Sequence, residues 1–423
     1  MKLLLLLLLS CAVCALANLT PTDLVKKYNE LKKENHQDFP RSAADEKEHF
    51  LEFKQASDFI ETHNSIDSDE WTATYNKFTT MTGAEKETFT GLNVSDVVLE
   101  RRNSKFLMRR SIDLAKRNPT SVDYTEKLPA IKNQGSCGSC WTFGAAAALE
   151  YQVNKDRTGS VKSLSEQQYL DCVYEGSRDG CNGGWPTACY SWTRDNGNMI
   201  ASQADMPYTG SDGTCNTDVN SAISGFSVGG STYLDTGDTA MEDAVADVSI
   251  GVISVAIGVV NSFYSFSSGV YSETGCSSIN HAVDVVGYGE MNGVGYWRVR
   301  NSWGSWGDNG YINMKRGLNG ANIDTCSISS YGHYPIVAGS DDGSDEEGGT
   351  DDEEEMVCEW DVNETYKLKG SLTGMDYTLT EAKTACLEME GCVGVSCKNN
   401  KCMLNEKTKG KSKQKFTAYT YSC

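Results

Sequence analysis

Basic residues are scarce in this chain. Its 38 lysines and arginines stand against 58 aspartates and glutamates, a formal net charge of −20. Phosphate backbones are bound by positive surface, so nucleic acid is excluded as an expected partner. Long apolar runs are scarce too. Leu3 to Leu9 is the main one, and it is too short to span a bilayer comfortably, so no membrane span is expected. With Lys2 before it and Ala15-Leu16-Ala17 after it, the run reads as a secretory signal over residues 1–17. Histidines number only five, and His36, His49 and His63 fall in a front section, residues 18–118, that has no cysteine. Only His281 and His333 remain for chemistry that needs an imidazole beside a thiol. A zinc site lacks a second ligand pair at suitable spacing, and neither metal nor cofactor is expected.

Cysteine, by contrast, is abundant. Two of the sixteen, Cys11 and Cys14, leave with the signal. The rest pass into an oxidising compartment, where bridges persist. From Asp45 to Asn64, Phe50, Phe53, Ala56, Phe59 and Ile60 recur at roughly helical spacing among charged residues, which predicts an amphipathic helix. A basic stretch from Arg101 to Arg117 follows and reads as a linker or a processing region. Residues 119–337 are rich in glycine and aromatics. Cys140 to Asp156 predicts an alanine-rich helix; Ile250–Val260, His281–Tyr288 and Gly295–Arg300 predict strands. A helical half and a stranded half imply an α+β fold. Residues 338–357 are an acidic linker that cannot bury apolar surface. Residues 358–423 form a small segment with six cysteines, which implies three bridges but not their connectivity.

"GSCGSCWTFG", residues 135–144, poses the functional question. The pair could be a redox dithiol, half of a metal site, or one structural sulfur beside one nucleophile. A reacting thiol needs a lowered pKa, a basic partner and usually a helix N-terminus. Cys140 stands where the alanine-rich helix begins, and the helix dipole there favours an anion. His281 opens an apolar strand and is placed to reach a cleft. His333 lies among turn residues and is expected to be structural or solvated.

"NQGSCGSCWTFG", "CNGG" at 181–184, "NHAVDVVGYG" and "NSWGSWGDNGY" together resemble the signatures of papain-family cysteine peptidases, in order and spacing. The resemblance covers residues 119–337 and implies a papain-like two-lobed fold, with a helical left lobe and a β-barrel-like right lobe. It implies Cys140 as nucleophile, His281 as base and later acid, Asn301 as the residue that orients the imidazole, and Gln134 as an oxyanion donor. Trp303 would shield the His–Asn hydrogen bond. "NSWGSWG" is one residue short of the usual form, which leaves the placement of Trp306 open. The implied bridges are Cys137–Cys181, Cys172–Cys215 and Cys276–Cys326, with Cys189 left as a buried thiol outside any bridge.

For substrate, the resemblance implies Gly183 and Gly184 at the cleft edge, with Gly184 pairing antiparallel to a peptide, and Asn280 beside them. The pocket for the second residue before the cut bond (P2) would have Trp185, Pro186, Ala256 and Ile279 as walls and Tyr331 as floor. That implies a preference for Val, Ala or Pro over Phe or Arg. No histidine-bearing loop of the cathepsin B-like kind follows "CNGG", which favours endopeptidase action. Residues 18–118 resemble the helical inhibitory propeptide of the cathepsin L-like group through Phe53, Ile60 and Asn64, with Asp45 and His49 at the acidic and basic anchor positions, and through Asn76 and Phe78. Such a segment would cross the cleft backwards and be released by acid.

The tail resembles a PAN/apple domain, with Cys358–Cys423, Cys386–Cys402 and Cys392–Cys397 as implied bridges and carbohydrate or protein as implied ligand. Sequons at Asn93 and Asn363 permit glycosylation. Two functions are thus in view: a secreted or lysosomal/digestive-vacuole endopeptidase acting on proteins or peptides, or an adhesin that uses the peptidase fold as a scaffold.

Overall fold

The computed structural model describes residues 20–35, 41–66, 70–92, 118–174, 180–218, 222–223 and 225–338, together with five strands between 359 and 422. The chain divides into two units, Met1–Leu99 with Asp113–Asp342, and Glu100–Ile112 with Gly343–Cys423. The signal, the basic stretch, Asn93 and the acidic linker lie outside the described residues.

The front section is helical for local reasons. Helix α1 (Pro21–Glu34) opens on Thr20, whose side chain accepts the Asp23 N–H, and Pro21 sits in the first turn, where no N–H is needed. Helix α2 (Ala43–Asn64) opens on Ser42 in the same way and buries His49, Phe53, Ser57 and Ile60 along one stripe. Phe53 packs with Tyr28 and Leu31 of α1. Ile60 enters the core of the strands that follow. Asn64 brackets the next segment: its Oδ1 accepts the Ala73 N–H at 2.9 Å and its Nδ2 donates to the Ala73 carbonyl at 2.8 Å. Strand β1 (Trp71–Ala73) thereby lies antiparallel along Phe266–Tyr271, at the edge of the main sheet. Helix α3 (Gly83–Glu87) starts with a capping box between Thr82 and Glu85 and hands residues 88–92 to the cleft.

The rest of this unit, short helical turns aside, is β2 (Val122–Asp123), α4 (Cys140–Asn154), α5 (Glu166–Cys172), α6 (Thr187–Asp195), β3 (Ile200–Ala201), β4 (Ala222–Ile223), β5 (Ser227–Tyr233), α7 (Asp238–Ala246), β6 (Ile253–Ile257), β7 (Phe266–Tyr271), β8 (His281–Met291), β9 (Val294–Arg300), β10 (Tyr311–Lys315) and β11 (His333–Ala338). The main sheet runs β1-β7-β10-β9-β8-β6-β11-β5, with β2 on β8; it is mixed, because β10 and β7 pair in parallel. Helix α4 is buried on every side, the signature of a central core helix rather than a surface one. One core gathers around it with residues of α5 and α6, and a second gathers among the strands. The expected helices and strands are present, some of them shorter at their ends. Of the two expectations for His333, structural or solvated, the buried one holds, although the residue opens β11 rather than lying in a turn, because that strand pairs with both β5 and β6.

The smaller unit holds β12 (Glu359–Asn363), β13 (Lys369–Ser371), β14 (Gly394–Lys398), β15 (Lys401–Lys407) and β16 (Thr417–Ser422) in one antiparallel sheet, order β12-β16-β14-β15-β13. Cys397 and Cys402 stand opposite each other across β14 and β15. Asn363 ends β12. Cys358, Cys386, Cys392 and Cys423 lie outside the described residues.

Candidate active site

Cys140 is the first residue of α4, fully buried and outside any disulfide. Backbone hydrogen-bonding groups of Ala282, the residue after His281, and of Gly91 from the front section reach its thiol. His281 opens β8, and its Nε2–H donates to Asn301 Oδ1 at 2.9 Å. That bond places the ring proton on Nε2 and leaves Nδ1 as a buried lone-pair nitrogen without a hydrogen-bond partner. Asn301 is itself tied down: its Oδ1 also accepts the Ser302 N–H at 2.8 Å, and its backbone N–H donates to the Gly310 carbonyl. The Trp303 ring stacks on His281 at 4.8 Å and keeps water from one face of the imidazole. Trp306 lies behind it, stacked on Phe263 and donating its indole N–H to the Tyr264 carbonyl at 2.9 Å.

Gln134 is held from several sides. Its Oε1 accepts from Ser302 Oγ at 2.5 Å, and its backbone carbonyl accepts from the Tyr208 hydroxyl at 2.8 Å. Its Nε2 donates to the Cys137 carbonyl at 2.9 Å and to the Phe89 carbonyl at 3.1 Å. Trp303 Nε1 donates to the same Phe89 carbonyl at 3.1 Å. A main-chain oxygen of the front section thus occupies the donors beside Cys140.

Gly91 and Leu92 continue that occupation. The Gly184 N–H donates to the Gly91 carbonyl at 3.0 Å, and the N–H groups of Gly91 and Leu92 both donate to the Asn280 carbonyl at 3.2 Å. Leu92 and Gly184 form a parallel bridge. No side chain fits at Gly91, since a Cβ there would stand 2.0 Å from the Gly138 carbonyl oxygen. Gly183 has φ +124°, and a Cβ on Gly184 would meet the Trp141 ring at 2.6 Å, so both positions require glycine. Leu92 packs against a cluster of Trp185, Tyr233, Ala256 and Ile279, with Tyr331 at its margin. Pro186 is the N-cap of α6. Tyr233 was not anticipated; its hydroxyl accepts the Trp185 indole N–H at 2.5 Å. No motif marks it, because it reaches the cluster from β5, distant in sequence.

Burial sets the charge state. It pushes the Cys140 thiol up to about 12, against the backbone groups that favour the thiolate, and pushes the His281 imidazole down to about 4. Burial under the front section thus favours the neutral form of both thiol and imidazole. Cys137 is bridged to Cys181, Cys172 to Cys215 and Cys276 to Cys326. Cys189 is buried and outside any disulfide. Among the described residues no cluster of His, Cys, Asp or Glu could hold a metal ion, and no helix is long and apolar enough to cross a membrane.

A sheet and a central helix that bring a cysteine to a helix start beside a strand-borne histidine define a cysteine peptidase fold. The chain belongs to the papain family of cysteine proteases, which it matches over residues 118–336. It is 43% identical over 225 residues to digestive cysteine proteinase 2 of Homarus americanus, covering 52% of this chain and 67% of that one. It is 34% identical over 328 residues to the KDEL-tailed cysteine endopeptidase CEP2 of Arabidopsis thaliana, covering 75% of this chain and 88% of that one. The structure of digestive procathepsin L2 proteinase from Tenebrio molitor larval midgut superposes with a TM-score of 0.65 at 32% identity, covering 74% of this chain and 99% of that one. The protein is a cysteine-type peptidase, and its front section lies along the cleft beside Cys140.

Proposed function

We propose that the protein is a secretory-pathway zymogen that matures into an endopeptidase, with Cys140 as its nucleophile. The observation that carries this reading is the contact of His281 Nε2 with the acceptor Oδ1 of Asn301, which assigns the ring proton to Nε2 and leaves Nδ1 as the base. Once the propeptide leaves, water enters the cleft and the desolvation that keeps the pair neutral falls. The Cys140 proton passes to His281, and the thiolate, at the start of α4, attacks the peptide carbonyl. Gln134 Nε2–H, released from Phe89, and the Cys140 backbone N–H receive the oxyanion. His281 returns the proton to the leaving amine, and water then hydrolyses the acyl-enzyme.

Substrate pairs with Gly184 in the antiparallel sense, opposite to Leu92. Its P2 side chain enters the space of Leu92, so aliphatic residues such as Val, Ala or Pro are preferred over Phe or Arg, with Tyr331 and Tyr233 limiting depth. Domain limits follow the sequence reading: propeptide 18–118, peptidase 119–337, linker 338–357 and a PAN/apple-like module 358–423 that binds carbohydrate or protein. The product is secreted or enters a lysosome or digestive vacuole.

The test is mass spectrometry of acid-treated protein after an epoxide inhibitor of cysteine peptidases. A single adduct on Cys140, absent from Cys140→Ala, on a chain shortened near residue 120 is expected. A processed, folded chain without adduct overturns the assignment.

A further inference from the structure

Four buried polar residues cross the main sheet in one row. His333 on β11 stands opposite Ser254 on β6, Ser254 opposite Asp284 on β8, and Asp284 opposite Arg300 on β9. Residues directly opposite on antiparallel strands share a face, so each of the four neighbours the next. His333 and Ser254 are 0% exposed, Asp284 3% and Arg300 5%. His333 Nε2, Ser254 Oγ and Asp284 Oδ1 each lack a hydrogen-bond partner in the protein, one another included. Buried polar atoms are rarely left unsatisfied, so three consecutive ones in a row call for bridging water between them. Gly144 on α4 leaves the middle of the row open: a Cβ there would stand 2.8 Å from Ser254 Oγ.

The ends of the row differ. Arg300 donates to the Ala130 carbonyl at 2.9 Å and to the Tyr311 hydroxyl at 3.3 Å. The His333 ring stacks on Trp185 at 5.7 Å and lies 5.4 Å from Tyr233. Those two residues, themselves hydrogen-bonded, are part of the cluster against which Leu92 packs. His333 Nδ1–H donates to the Tyr331 carbonyl at 3.3 Å, which leaves Nε2 as an acceptor.

We propose that His333 is a positioning residue for the pocket that receives P2, acting as one unit with Asp284 through Ser254. This rests on the reading of the Leu92 space as the P2 pocket. In the unit, the Asp284 carboxylic acid donates towards Ser254 Oγ, and the Ser254 hydroxyl towards His333 Nε2, each through a bridging water. The row then carries no charge at its His333 end, and Trp185 keeps its observed position. A second proton on His333 puts a cation behind Trp185 and disturbs the wall.

Charge supports this arrangement. Facing His333 are Tyr190 of α6, Tyr233 of β5, Ser254 of β6 with Asp284 beyond it, and its own neighbour Tyr331. Asp284 shares its surroundings with Arg300, Glu150 and Glu166, and Lys132 lies between the two glutamates. Three carboxylates against two cations favour keeping one proton. Burial holds Asp284 well above the usual carboxylate range and His333 down to about 4, so the neutral row persists until strong acid.

The experiment uses mature enzyme with its active sites counted by epoxide titration, and two peptides that differ only at P2, Val against Phe. His333→Phe and Asp284→Leu are expected to change the Val/Phe ratio of kcat/KM in the same direction, about 5-fold or more. The change is expected in KM rather than kcat, and His333→Phe removes the acid limb of KM. His333→Gln, which keeps a neutral acceptor, should restore most of the ratio. If the ratio and its pH profile stay at wild-type values in both variants, the proposal is overturned. A readout free of catalysis uses the full chain carrying Cys140→Ala. There, Asp284→Leu should move the 15N-detected titration of His333 by about one pH unit. An unmoved titration also overturns the proposal, whereas missing epoxide label on the wild type counts against the peptidase assignment alone.

Discussion

Leu92 lies beside Gly184 in a parallel bridge, with the Gly91 carbonyl accepting the Gly184 N–H at 3.0 Å. The propeptide therefore uses the cleft's own glycine edge while running along it in one fixed direction. Gly91 is a tight point of the passage, because any Cβ would collide with the Gly138 backbone. Gly91→Ala should weaken inhibition of mature enzyme by the added propeptide at least ~10-fold, the factor for roughly 1.4 kcal/mol of lost binding. Inhibition constants for the two propeptides check this, and equal values would count against it.

Gln134 exchanges one partner on activation. Its Nε2 donates to the Phe89 carbonyl in the zymogen and is released when residues 88–92 leave. Gln134→Ala should lower kcat about 10²–10³-fold, the usual cost of one oxyanion donor, with KM little changed. Steady-state kinetics on titrated enzyme provide the measurement.

The charge state of Cys140 gives a test by alkylation. With burial pushing the thiol up to about 12 and the imidazole down to about 4, the full chain is expected to hold no thiolate–imidazolium pair across neutral pH. Iodoacetamide should label Cys140 in the full chain ~10²-fold more slowly than in the processed enzyme at about pH 6. Similar rates would show that the pair forms beneath the propeptide.

Acid release follows from the propeptide's carboxylates. A hydrogen bond from Lys32 holds Glu46 below its ordinary value. Burial raises Glu85, but bonds from Thr82 and His49 outweigh it, and its value is also lowered. Carboxylates lowered by folding stabilise the propeptide above their ordinary range, and that contribution is lost as pH falls through the lowered values. Lys77 differs: burial takes it down to about 8, so its cost is already nearly complete at neutral pH and cannot be the acid trigger. Glu85→Gln should make maturation less dependent on pH between roughly 5 and 3. Processing followed by gel at stepped pH tests it.

Phe53 links α1 to α2 and is fully buried. Phe53→Ala should destabilise the propeptide by about 3–5 kcal/mol. Thermal unfolding of the full chain carrying Phe53→Ala and Cys140→Ala, compared with Cys140→Ala alone, measures the loss without self-cleavage.

The class of chemistry and most of the elements were determined by the sequence alone. Motifs at 134–144, 181–184, 281–288 and 301–311 carry their chemistry in residue identity and spacing, and the stripe of α2 follows from local periodicity. Tertiary structure decided what depends on strands meeting at a distance. Tyr233 reaches the cluster around Leu92 only because β5 pairs with β11, and His333 left the surface only because β11 also pairs with β6. Phe89, Gly91 and Leu92 acquire their role only where the chain crosses the cleft. Local sequence sets periodicity, caps and reactive side chains, but register between distant strands sets burial, and burial sets which polar groups share a charge.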